Sequence, residues 1–156
     1  WNMGGTAKEL YEAGISNSMK QWGITDGAAI AAYTASTNVP VAPADFLNSP
    51  AVSNAPIKFA ADAPTQKLQI AIQKWISIFP DGTEAWADYR RSRTFILYPV
   101  ANSDNPDITN TTTQWLRRIP FLLSEKQNNK AAVDAAVPLL GAGGDKVTTP
   151  LWWDKN

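Results

Sequence analysis

Glu84 and Asp88 stand four positions apart, so on a helix their carboxylates share a face. Two carboxylates ~5–10 Å apart are the machinery of glycoside hydrolysis. The same acids lie early in a segment that closes with Arg90, Arg91 and Arg93, where they serve equally well as helix-dipole partners and ion pairs. Asp104 and Asp107 could offer oxygens to calcium, but two acids fall short of its ~6–8 ligands, and a solvated loop is the plainer reading. Arg90, Arg91, Arg117 and Arg118 could clamp an anion. Ion pairing and stacking on Trp or Tyr is the competing reading, and the favoured one. Gly141-Ala142-Gly143-Gly144-Asp145-Lys146 lacks the spacing of a phosphate loop and follows a helix, as a helix cap and turn does. Asn110-Thr111-Thr112 spells a glycosylation sequon, which has meaning only in a secreted eukaryotic protein.

Composition removes much of the remaining chemistry. The chain has 156 residues with no Cys and no His. Disulfides, thiolate metal sites, Cys nucleophiles and His-based catalysis are therefore excluded. The 14 basic and 14 acidic side chains cancel, which gives no electrostatic reason to expect nucleic acid as a partner. These readings name no catalytic residue, no metal and no cofactor.

Aromatic residues are the other resource, with seven Trp in the chain. Trp75, Phe79 and Trp86 fall on helical stripes and read as core. Trp115 stands beside a polar loop and two arginines, and is the candidate ligand-binding residue, an exposed stacking platform. Of Trp152 and Trp153, one is expected to pack the tail onto the body.

The elements that must position these residues are helices. Thr6 to Glu9 forms a capping box, and Tyr11, Ile15, Met19 and Trp22 make one apolar face before Gly23 ends the helix. Thr25 or Asp26 starts a second, Ala-rich helix. Five prolines, Pro40, Pro43, Pro50, Pro56 and Pro64, predict a long irregular segment, too apolar for a free linker and so laid against the body. A helix follows from Pro64 to Phe79, with Leu68, Ile72, Trp75, Ile76 and Phe79 on its apolar stripe and Gln66, Gln69 and Gln73 opposite. Pro80-Asp81-Gly82 turns the chain, and Thr83 is expected to cap a partner helix through Arg91. Ser124 to Gln127 reads as a second capping box, and Asn129 as the cap of a last helix ending at Gly141. The fold class is mainly α, helical hairpins with long irregular loops.

Several stretches together resemble one known family. Residues 66–91, QKLQIAIQKWISIFPDGTEAWADYRR, resemble the C-terminal helical hairpin of SusD/RagB-type nutrient-binding outer-membrane lipoproteins. Residues 117–125, RRIPFLLSE, are similar to that family's arginine-rich segment, with Phe121-Leu122 in place of its usual Tyr-Pro. Gly143-Gly144-Asp145 and the run at 151–156 resemble its closing motif, and residues 3–15 also fit. The resemblance implies that residues 1–156 form the C-terminal region of a SusD-like α-helical, TPR-containing fold, with lipid anchor and N-terminal helical repeats outside it. It also implies a cell-surface protein without catalysis that captures an oligosaccharide or peptide and delivers it to a SusC-like TonB-dependent transporter. A carboxylate-dependent glycosidase and a helical protein–protein interaction module stand as the alternatives.

Overall fold

The computed structural model describes residues 4–95, 97–98, 102–109 and 114–154. Among them are six α-helices and one 3-10 helix, and no strand. None of the helices is long and apolar enough to cross a membrane. The chain folds as two compact units, Trp1–Leu97 and Tyr98–Asn156.

In the first unit, α1 spans Ala7–Gln21 and opens with the expected capping box. The Glu9 main-chain N–H donates to Thr6 Oγ1, and the Thr6 N–H donates back to Glu9 Oε2 at 2.7 Å. At the other end Gly23 takes φ 85. The Gly23 and Ile24 N–H groups then close onto the Lys20 and Met19 carbonyls, a Schellman ending that needs a left-handed residue at that point. Tyr11 and Ile15 are buried as expected, but Trp22 is exposed. It lies beyond the last helical residue, where its ring meets Phe79 at 5.9 Å instead of the core.

Helix α2, Gly27–Thr34, is capped by Asp26, whose carboxylate accepts the Ala28 N–H at 2.8 Å. Residues 36–62 contain no helix, and they do lie against the body. The Tyr11 hydroxyl donates to the Ile57 carbonyl at 2.8 Å, and its ring meets Phe59 at 5.0 Å. The main anchor is Gln69 on α3. Its Nε2 donates to the Pro56 and Lys58 carbonyls at 2.7 and 2.8 Å, and its Oε1 accepts the Ala60 N–H at 3.0 Å. Gln69 is 2% exposed. Gln69, placed opposite the apolar stripe, is thus buried all the same: a buried amide is stable where all its polar atoms find partners, and the loop backbone supplies them.

Helix α3 runs Ala63–Ile78 with Asp62 as its cap, and α4 runs Gly82–Ser92. The cap of α4 is Asp81 and not Thr83, because the Asp81 carboxylate accepts the Glu84 N–H at 2.9 Å. The two helices form the expected antiparallel hairpin: Lys74 and Asp88, equally spaced either side of Asp81, meet at 2.6 Å. Trp75 sits against Phe95, itself buried, at 5.5 Å, and Tyr89 meets the same ring at 5.5 Å. Trp75 and Trp86 are half-buried, while Ile76 and Phe79 are exposed. The apolar stripe of α3 is therefore only partly covered by this unit.

The second unit holds α5, Leu123–Asn128, α6, Lys130–Ala136, and the 3-10 turn Val137–Gly143. Leu122 occupies the cap position of α5, so Ser124 falls inside the first turn and caps nothing. Pro138, which has no N–H to donate, stands where α6 gives way to the 3-10 turn.

Candidate functional site

The arginine-rich segment and the closing motif are bonded to one another within the second unit. The Arg117 and Arg118 main-chain N–H groups both donate to the Val147 carbonyl, at 2.8 and 3.2 Å. The Arg117 guanidinium donates through Nε to Asp154 Oδ2 at 2.8 Å and through Nη2 to the Asp154 carbonyl at 3.2 Å. Arg118 pairs with Asp145. The other Asp145 oxygen lies 2.7 Å from Lys126 Nζ, and the Phe121 N–H donates to Oδ1 at 3.0 Å. Desolvation pushes the Asp145 carboxyl up, but hydrogen bonds from Lys126, Arg118 and Phe121 outweigh it and hold the pKa at about 2. Asp107 completes the frame by accepting the Val147 N–H at 3.1 Å.

Gly143-Gly144-Asp145 has a physical reading in this frame. A Cβ on Gly143 would lie 2.6 Å from Thr149 Oγ1, so the close approach requires glycine. Gly144 takes φ 60, ψ −155, a region that residues with a Cβ avoid. Asp145 then binds the arginine segment. These glycines form a turn and cradle no phosphate, as their position after a helix implies.

Trp115 stands two residues before Arg117 on this framed segment and is 36% exposed. Trp152 is more exposed, at 84%. The Asp154 N–H donates to the Leu151 carbonyl at 2.9 Å, which makes a turn whose tip carries Trp152. Trp153 is half-buried, so one indole of the pair does pack the tail. Sequence reasoning left open which of the two faces water, since only the buried carboxylate of Asp154 fixes the turn.

The other candidates resolve into structural roles. Asp88 lies 2.6 Å from both Lys74 Nζ and Arg91 Nη2. Desolvation raises its carboxyl, yet the bonds from Lys74 and Arg91 keep it below the usual carboxylate range. A glycosidase pairs one acid held protonated with one ionised carboxylate, and Asp88, held ionised by two cations, is not the protonated member. The Arg90 guanidinium covers the Trp86 ring at 3.7 Å. All four arginines are thus engaged in pairing or stacking, and form no anion clamp. No cluster that could hold a metal ion exists among the described residues. The sequon at 110–112 lies outside them.

Among the cavities that open on the first unit, two are lined largely by aromatic and apolar side chains. The larger, about 560 Å³, is walled by Trp75, Phe79, Trp86, Tyr89 and Leu97. The smaller, about 210 Å³, lies between Tyr33, Asn38, Pro56 and Gln73, where Gln73 Nε2 donates to the Tyr33 hydroxyl at 3.2 Å.

The sequence profile of one family, described as "SusD-like: Susd and RagB outer membrane lipoprotein", matches residues 1–154. None of the curated proteins matches. Among solved structures, a chitin-binding SusD homologue from Flavobacterium johnsoniae is 40% identical with a TM-score of 0.80. A SusD homologue from Bacteroides ovatus is 35% identical with a TM-score of 0.85, and one from Bacteroides thetaiotaomicron is 28% identical with a TM-score of 0.82. Each match covers 100% of this chain, but only 33%, 34% and 34% of the respective structures. The chain therefore spans about a third of the length of these relatives.

Proposed function

The chain belongs to the SusD-like family of SusD and RagB outer membrane lipoproteins, and from that premise we propose that it is the C-terminal region of a protein that captures an oligosaccharide at the cell surface. The captured glycan passes to a SusC-like TonB-dependent transporter, and no bond is broken. The observation that carries the choice of ligand class is the 40% identity, over the whole chain, to a chitin-binding homologue. A peptide ligand is the second choice. Trp115 is the proposed stacking surface: a sugar ring lays its C–H face on an indole, and the segment that carries Trp115 is fixed by the bonds of Arg117 and Arg118 to Val147.

Calorimetric titration of the full-length protein with a glycan panel, beginning with chito-oligosaccharides, tests this reading. Saturable binding with no release of new reducing ends is expected. Hydrolysis that disappears in Glu84→Gln would replace it with the glycosidase reading. Co-purification with a transporter barrel in the absence of any glycan affinity would favour an interaction module.

A further inference from the structure

The smaller cavity of the first unit, about 210 Å³, carries the polar groups that the larger one lacks. Three side-chain amides stand around it, those of Asn38, Gln69 and Gln73, with the Tyr33 hydroxyl beside them. Among the described residues, no charged side chain lines it. Gln69 spends its amide on the wall, through its bonds to Pro56, Lys58 and Ala60. The Tyr11 hydroxyl holds the Ile57 carbonyl at 2.8 Å, and the Lys58 N–H donates to the Ser36 carbonyl at 2.8 Å, so this wall stands without a ligand. Gln73 is bonded differently. The Tyr33 hydroxyl lies 3.2 Å from its Nε2 and 3.3 Å from its Oε1. A hydroxyl set between the two ends of one amide makes a good bond to one end at most, so hydrogen-bonding capacity is left over at Gln73. The Asn38 amide, exposed at the rim, has no protein partner among the described residues.

We propose that this cavity is a subsite for the acetamido group of an N-acetylated sugar ring. A secondary amide asks for an acceptor for its N–H, a donor for its C=O and an apolar contact for its methyl. Gln73 and Asn38 supply the first two, and Ile72 and Pro40 the third. The uncharged lining works against an ammonium or carboxylate substituent, which would lose water and gain no counter-charge. The volume lies below the ~300–1,000 Å³ of pockets that enclose a whole drug-sized ligand, so a substituent or a single ring enters and the rest of the glycan stays outside. The inference rests on the reading of the protein as an oligosaccharide binder, and adds which feature of the sugar is read.

Calorimetric titration of the full-length protein with N,N′-diacetylchitobiose and with cellobiose, which carries hydroxyls in place of both acetamido groups, tests the subsite. Wild type is expected to prefer the acetylated sugar at least ~10-fold. Gln73→Leu should bring the preference within ~2-fold while the cellobiose Kd and the melting temperature stay unchanged. Asn38→Ala, which breaks no bond within the protein, should reduce the preference in the same direction. A wild type without the preference, or a preference that survives both substitutions, overturns the subsite and leaves oligosaccharide capture standing. Equal loss of affinity for both sugars in Gln73→Leu marks a purely structural role and also overturns it. Binding of other glycans but of neither disaccharide sinks the subsite alone, whereas binding of no glycan at all sinks the subsite and the proposed function together.

Discussion

Arg117 and Asp154, 37 residues apart in sequence, are joined by two hydrogen bonds in which the guanidinium takes both a carboxylate oxygen and the main-chain carbonyl of its partner. The Asp154 side chain is fully buried, and that of Arg117 is half-buried. A charge buried in this way is stable only with its partner present. The end of the chain is thereby tied to the segment that presents Trp115.

Removing the Trp115 ring should weaken sugar binding and leave the fold intact. Trp115→Ala is expected to raise the Kd for the bound glycan at least tenfold, about 1.4 kcal/mol. Trp152→Ala serves as the comparison, because its indole is the more exposed. Equal affinity in wild type and Trp115→Ala, measured by calorimetry, would transfer the stacking role elsewhere.

Acid should loosen the second unit through Asp145. Its folded pKa of about 2 lies below the ordinary Asp value of ~3.9. A depressed carboxyl contributes stability that is fully present above the unfolded pKa and lost as pH falls through the folded one. The urea midpoint should therefore drop between about pH 4 and pH 2. Asp145→Asn should start lower and fall less across that window. Parallel curves for the two proteins would contradict the assignment.

Gly143→Ala should destabilise by about 1–3 kcal/mol, the usual cost of forcing an extra carbon into a packed site. The new Cβ would meet Thr149 Oγ1 at 2.6 Å and Cγ2 at 3.1 Å. Thr149→Ala, which removes both atoms, should recover part of the loss in the double variant. Independent, additive effects in a denaturation cycle would show that the two positions do not touch.

Gln69→Leu keeps the size of the side chain and deletes all three hydrogen bonds to the loop. The cost should be about 3 kcal/mol, since buried carbonyls and an N–H lose their partners. Hydrogen exchange at Ala60 should accelerate with it. A variant as stable as wild type would mean that the remaining contacts, the Tyr11 bond to Ile57, the Tyr11–Phe59 ring contact and the Gln66 bonds to Ala60 and Ala61, hold the segment.

What could be read in advance was local. The Thr6 and Glu9 box, the Asp26 cap and the Pro80-Asp81-Gly82 turn each depend on residues within four positions of one another. Where several cap-forming residues crowd together, sequence does not rank them, so Asp81 displaced Thr83; at α5 the cap position falls earlier, at Leu122, which has no side-chain acceptor, and Ser124 lies inside the helix. Burial was harder. Gln69 sits on the polar side of the α3 pattern, and its interior position is created by a loop that no helical period describes. Trp22 and Phe79 look like core by spacing, yet they meet each other and stay exposed. Among the arginines, pairing and stacking were legible from residue type, whereas the acids at Asp145 and Asp154 were identified only by the fold.

The Gln69 amide also exposes the protein to chemical ageing. Conversion of that amide to a carboxylic acid would delete both Nε2 donors in a single step and set a negative charge against the carbonyls of Pro56 and Lys58. The helices would survive, because none of their own ladders passes through that side chain. Damage would surface instead as a protease nick within residues 36–62, in a protein whose helical content still looks young.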